Sequence, residues 1–347
     1  MPFRDIIRQP NGRRSETAAG ARAVVSMLTS SLAIVAGFLL LVWGAERFVL
    51  GAASTARSFG VSPLIVGLTI VAFGTSAPEL LVSTVAAWEG NPGLAIGNAV
   101  GSNITNIALV LGGAALVKPL AVHSQTLRRE LPILLLTMVL ALVLLLDGEL
   151  GRGDGLMLLL GLAVMIYWLV MLGLRSRSDP LTNEFDSEMP KQMPVAMSLM
   201  WLVLGMIVLF AGSRILVYGA VDIATRLGVS DLVIGLTIIA IGTSLPELAA
   251  SIMSAIRNEH DIAIGNVIGS NMFNTLGVMG MPGLLAPGPV DSELLTRDYA
   301  VMVGLTLALF VMAYGLRGDH GRINRPEATV LICVYTVYLY VIYRTSS

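Results

Sequence analysis

Residues 67–80 read GLTIVAFGTSAPEL, and residues 235–248 read GLTIIAIGTSLPEL. A second pair, AIGNAVGSNITN at 95–106 and AIGNVIGSNMFN at 263–274, stands at the same separation, the 168 residues from Glu79 to Glu247. The offset holds without a gap from Gly44 and Gly212 to Gly112 and Gly280. Chance does not produce two such blocks at one offset, so the chain is an internal duplication. The repeated segment is apolar enough to cross a bilayer, yet it carries a proline and a glutamate near its middle. A carboxylate at the bilayer centre costs roughly 2.5–3.5 kcal/mol on insertion scales. A proline inside a helix removes one hydrogen bond and clashes with the carbonyl one turn back. Two unfavourable residues side by side, present twice, mark a site.

Composition sets the solvent. The 347 residues are 55% hydrophobic and 13% charged, with mean hydropathy +0.79. Soluble domains carry about 25% charged residues, so this is an integral membrane protein. The formal net charge of −1 offers no basic surface for nucleic acid. Cys333 is the single cysteine, which rules out an intrachain disulfide. His123, His260 and His320 fall in predicted loops and lack metal-ligand spacing.

Apolar runs of spanning length predict ten helices, at 27–56, 62–88, 94–117, 130–147, 154–174, 195–225, 230–256, 262–286, 298–316 and 326–344. Residues 1–26 read as a polar, basic, solvated tail, too long in its basic region for a cleaved signal peptide. Residues 175–194, RSRSDPLTNEFDSEMPKQMP, read as a charged, proline-containing linker without an EF-hand pattern. The linker divides a first repeat, 27–174, from a second, 195–347, with the motif blocks at 67–112 and 235–280. Five spans per repeat is an odd number, so the second copy must insert upside down. The expected fold is therefore all-α and membrane-integral, with two inverted five-helix repeats and a site near the midplane. Lys and Arg in the inter-helix loops place the 175–194 linker in the cytoplasm, although the basic N-terminal tail then lies outside.

The motifs supply oxygen. Thr75 and Ser76 stand four and three residues before Glu79, so all three approach one helix face. Pro78 is expected to disturb the preceding turn and free carbonyls around Ala72 to Gly74. The second copy repeats the set with Ala240, Thr243, Ser244, Pro246 and Glu247. On the following helix Asn98, Ser102 and Asn106 share one face, as do Asn266, Ser270 and Asn274. Gly97 and Gly101, and Gly265 and Gly269, form GxxxG faces that let two helices approach closely. With no Cys or His, these hard ligands suit Na⁺, Ca²⁺ or Mg²⁺. Two ionised glutamates neutralise one Ca²⁺ or are shared among several Na⁺ ions, which is what an exchanger of the two requires.

The paired GTSxPE blocks, each followed by GNxxGSNxxN, resemble the α-repeats of the Na⁺/Ca²⁺ exchanger family, in a compact prokaryotic form. The resemblance covers both halves. It implies a secondary antiporter that works by alternating access and moves charge, in a prokaryotic inner membrane, with no cofactor beyond the transported Na⁺ and Ca²⁺. It implies that Glu79 and Glu247 bind the ions. Thr75, Ser76, Thr243 and Ser244, the carbonyls of Ala72 and Ala240, and Ser102, Asn106, Ser270 and Asn274 complete the sites. Some relatives, including K⁺-dependent exchangers, carry aspartate where this chain has Asn274, which argues against K⁺ co-transport. The expected partners are the two ions and the lipid bilayer, and the expected assembly is a monomer.

Blander readings stand beside these. The glutamates could be structural carboxylates paired with Arg47 or Arg214, but those arginines do not match between repeats: Glu46 aligns with Arg214, and Arg47 with Ile215. The serines and asparagines could be interhelical hydrogen bonders. The alternative on the same scaffold is a H⁺/Ca²⁺ exchanger, since a central carboxylate can carry a proton, or a K⁺-dependent Na⁺/Ca²⁺ exchanger. An intramembrane enzyme would need a nucleophile–base pair or metal ligands, and no histidine lies in a span.

Overall fold

The computed structural model describes residues 11–122, 127–175, 193–228, 240–314 and 321–345. Helix α1 runs Asn11–Phe59. It is followed by α2 at Leu64–Thr75, α3 at Ala77–Trp88 and α4 at Pro92–Val117. Next come α5, Leu127–Leu144, and α6, Arg152–Arg175. The second half holds α7, Val195–Arg226, α8, Ala240–Thr243, α9, Leu245–Ile256, and α10, His260–Phe273. It ends with α11, Gly280–Leu285, α12, Leu294–Tyr314, and α13, Arg325–Thr345.

Among the described residues, six helices are long and apolar enough to cross a membrane, or seven if the bent pair α2 and α3 is one span. The expected span at 62–88 is that pair, bent by 43°. The expected spans at 130–147, 230–256 and 262–286 are helical where described but fall in shorter pieces. Residues 229–239 lie outside the description, and the third segment passes through a wide π turn, Asn274–Val278, between α10 and α11. Within the segment expected as an N-terminal tail, residues from Asn11 onward are helical and continue into α1. The 175–194 linker lies almost wholly outside the described residues.

The duplication is repeated in the backbone. Gly60 and Gly228 both have positive φ, and so do Gly90 and Asn258, at the same 168-residue offset. Wide π turns begin at Asn106 and at Asn274. Among the described residues four two-residue strands depart from the all-helical expectation: β1, Leu120–Ala121; β2, Glu149–Leu150; β3, Gly288–Pro289; and β4, Arg322–Ile323. β1 pairs antiparallel with β4, and β2 with β3, so each ladder joins one repeat to the other.

Two layers result. The inner layer is α2, α3, α4, α9 and α10, and in α10 every residue from Ile262 to Phe273 is buried. The outer faces of α1, α6 and α7 are apolar and exposed, as at Leu28, Leu39, Leu160, Val164 and Ile207. Apolar surface on this scale suits hydrocarbon rather than water. α1 and α7 pack along their length and run antiparallel: a Cβ at Gly37 would meet Leu216, one at Gly44 would meet Leu209, and one at Gly51 would meet Leu202. The seam recurs from the other side, where Cβ atoms at Gly205 and Gly212 would lie 2.3 and 2.5 Å from the backbone nitrogens of Phe48 and Leu41. Only glycine permits backbones this close.

Gly212→Ala should therefore lower the thermal unfolding midpoint in detergent, with a cost of about 1–3 kcal/mol, because the contacted atoms are backbone and cannot step aside. Gly304→Ala, where a Cβ meets nothing within 4 Å, should leave the midpoint unchanged.

Candidate functional site

Each central helix breaks at a serine. Ser76 (φ −82°, ψ 2°) separates α2 from α3, and Ser244 (φ −90°, ψ 5°) separates α8 from α9. The prolines are thereby explained. Pro78 and Pro246 are the second residues of new helices, where a missing N–H costs nothing because the first-turn donors have no helical acceptor. Glu79 and Glu247 then fall in the first turn of α3 and α9. The positive end of the helix dipole favours a carboxylate at this position. Both glutamates are 1% exposed.

The break does not leave the Ala72 carbonyl free, as the disturbed-turn expectation had it: the Ser76 N–H donates to it at 3.0 Å. The Ser270 hydroxyl, from the other repeat, also reaches it at 3.5 Å. Further contacts cross between repeats. Ser76 Oγ donates to Glu247 Oε1 at 3.4 Å, and Thr75 Oγ1 donates to Asn266 Oδ1 at 3.1 Å. These contacts rest on the glycines of α10. A Cβ at Gly269 would lie 2.5 Å from the Leu68 carbonyl oxygen and 2.6 Å from Ala72 Cβ. Gly265 faces Leu64 and Gly67 in the same way, whereas Gly97 and Gly101 have no such neighbour among the described residues.

The motif reading named Asn98 and Asn266 but not their serine partners, Ser83 and Ser251. Asn98 Nδ2 donates to the Glu79 carbonyl at 3.2 Å and to Ser83 Oγ at 2.9 Å. Asn266 Nδ2 donates to the Glu247 carbonyl at 3.4 Å and to Ser251 Oγ at 3.0 Å. Ser83 and Ser251 stand four residues after each glutamate, at the repeat offset, and that match was the available signal. Deeper in, Asn271 Nδ2 donates to the Asn103 carbonyl at 3.3 Å, tying α10 to α4.

Other polar atoms lack internal donors. Both oxygens of Glu79, Oε2 of Glu247, the side-chain oxygens of Asn106 and Asn274 and the Ser244 hydroxyl are buried with no hydrogen-bond partner among the described residues. The π turn that starts at Asn106 packs on α9, and the one that starts at Asn274 packs on α3, so each turn lies against the helix carrying the opposite repeat's glutamate. Buried oxygens without hydrogen-bond donors are costly, and a hard cation is the partner that suits such a set. Among the described residues no group of three His, Cys, Asp or Glu side chains could hold a metal ion. Ser102 is buried, Thr243 closes α8, and Ala240 opens it.

Among the described residues neither Arg47 nor Arg214 forms an ion pair with Glu79 or Glu247. The Arg47 guanidinium lies 4.8 Å from the ring centroid of Trp201 and 5.7 Å from that of Trp43, at the α1–α7 seam. Glu46 pairs with Arg257 at 2.7 Å.

Comparison with known proteins points the same way. The family described as sodium/calcium exchanger protein matches residues 29–171 and 197–344. CaxA of Alkalimonas amylolytica is 48% identical over 91% of this chain and 99% of its own. The sodium/calcium exchanger MaX1 of Methanosarcina acetivorans is 32% identical over 90% and 98%. The solved structure of the sodium-calcium exchanger NCX_Mj soaked without Na⁺ and Ca²⁺ superposes with a TM-score of 0.78, at 34% identity, over 91% of this chain and 99% of that one.

Asn266→Ala should destabilise the protein by about 1–3 kcal/mol, because Ser251, Thr75 and the Glu247 carbonyl all lose a buried partner. Asn98→Ala, at a half-buried position with fewer partners, should cost less. Thermal unfolding of the two variants in one detergent checks the order.

Proposed function

Because the chain belongs to the sodium/calcium exchanger family, we propose that it is a secondary antiporter exchanging Na⁺ for Ca²⁺ at one central site held by Glu79 and Glu247. The observation that carries this reading is the pair of buried glutamates in the first turns of α3 and α9, surrounded by oxygens that lack internal donors. Two carboxylates balance the charge of one Ca²⁺. The same oxygens, with the hydroxyls of Thr75, Ser76, Ser102, Thr243, Ser244 and Ser270, the amides of Asn106 and Asn274 and the Ala72 and Ala240 carbonyls, host Na⁺ when Ca²⁺ leaves. A site that cannot hold both at once couples the two fluxes.

The architecture for this is ten spans in two inverted repeats. It is supported by α1 and α7, equivalent at the repeat offset, running antiparallel along one seam. It is supported too by two strand ladders that each join one repeat to the other. The site then lies where the two repeats meet, and rocking the repeats exposes it to one side at a time. Asparagine at both 106 and 274 favours exchange without K⁺.

Radioactive Ca²⁺ uptake into Na⁺-loaded proteoliposomes, diluted into Na⁺-free and K⁺-free buffer at clamped pH, tests the reading. Uptake should require internal Na⁺ and should be lost in both Glu79→Gln and Glu247→Gln. Full uptake by either variant would refute the shared site, and uptake driven only by a pH gradient would assign the counter-ion to H⁺. Ser102→Ala and Ser270→Ala should weaken Na⁺ affinity while leaving the unfolding midpoint in detergent near that of the parent.

A further inference from the structure

The two ends of the α1–α7 pair are not alike. At one end α1 packs along α9 and is bridged to the α9–α10 turn twice, by Glu46 with Arg257 at 2.7 Å and by Arg57 with Glu259 at 2.5 Å. At the repeat offset, Glu46 corresponds to Arg214 and Arg257 to Glu89. The equivalent couple therefore exists on the other side with its charges reversed: Arg214 on α7 and Glu89 on the α3–α4 turn. The turns themselves match, since Gly90 and Asn258, one residue on, share a positive φ. Yet α7 does not pack along α3, and Arg214 and Glu89 are exposed with no ion pair among the described residues.

We infer that Glu46–Arg257 and Arg214–Glu89 are alternating locks, one closed in each of the two access states. Two inverted halves that exchange conformations must exchange their contacts. The pair made by one half in this state is then made by the other half in the opposite state. A charge reversal at both aligned positions preserves attraction, whereas a change at one alone would have produced repulsion. The second bridge has no such counterpart, because Arg57 and Glu259 align with Thr225 and Asn91. This state is thus held by two ion pairs at one end, and the opposite state would be held by one at the other end, which favours the state seen here. All four bridge residues are partly exposed, so each pair contributes little by itself and stays reversible.

The inference rests on the inverted, alternating-access reading, and its test does not need to know the ions. In a Cys333→Ser background, Glu46→Cys with Arg257→Cys and Glu89→Cys with Arg214→Cys are treated with a short thiol cross-linker on the full-length protein in vesicles. Linked peptides are read by mass spectrometry. Both pairs should cross-link in Na⁺, in Ca²⁺ or in the absence of both. In the four-cysteine protein, capture of one pair should suppress the other. The first pair serves as the folding control for the second. Cross-linking of Glu46→Cys with Arg257→Cys but never of the other pair would overturn the proposal, as would both links forming in one molecule. In flux assays, Glu89→Arg alone should slow exchange about tenfold and Glu89→Arg with Arg214→Glu should recover it, a coupling within the range of contacting charges. Equal rates in the two would also overturn it. If Na⁺-driven Ca²⁺ flux is absent while both pairs still alternate, the ion assignment fails and the locks stand.

Discussion

The organisation of the molecule depends on one local event, a helix that stops and restarts at a serine in the protein centre. A continuous helix would use its backbone groups internally and would have to bury Glu79 or Glu247 in mid-segment against a large desolvation cost. Breaking at Ser76 and Ser244 turns each glutamate into a first-turn residue, close to N–H groups that helix geometry leaves unpaired. The proline next to it, unfavourable in a helix interior, is well placed at a helix start. The same break bends α2 from α3 by 43° and so decides which side chains of the following helix can reach the carboxylates.

Close packing then brings the two breaks together. Gly265 and Gly269 allow α10 to lie on the backbone of α2, and this puts Ser270 near the Ala72 carbonyl and Asn266 near Thr75. In a bilayer the apolar effect does not drive helices together, so contacts of this kind must come from close backbone approach and interhelical hydrogen bonds. The α1–α7 seam uses the same means outside the site, with glycines every seventh residue on both helices. Arg47 is accommodated at that seam by two tryptophans and does not reach inward to neutralise a glutamate.

The duplication is most informative where it is imperfect. Positions that match between repeats, such as Ser83 with Ser251 and Asn98 with Asn266, brace the two glutamates alike. Positions that match in place but not in charge are Glu46 with Arg214, on α1 and α7, and Glu89 with Arg257, on the α3–α4 and α9–α10 turns.

The sequence by itself determined the duplication and the apolar class of the chain, because each follows from residue type and spacing alone. GTSAPE and GTSLPE were enough to single out Glu79 and Glu247. Tertiary structure decided what spacing cannot carry. That the prolines begin helices depends on backbone angles at the preceding serines. That the Ala72 carbonyl is already bonded depends on where the Ser76 N–H points. That Arg47 stacks on Trp201, and that Glu46 meets Arg257 while Arg214 and Glu89 stay apart, depends on packing between residues 125 to 211 positions apart in the chain. A periodic pattern records which face of a helix is apolar, and only packing shows which partner that face meets.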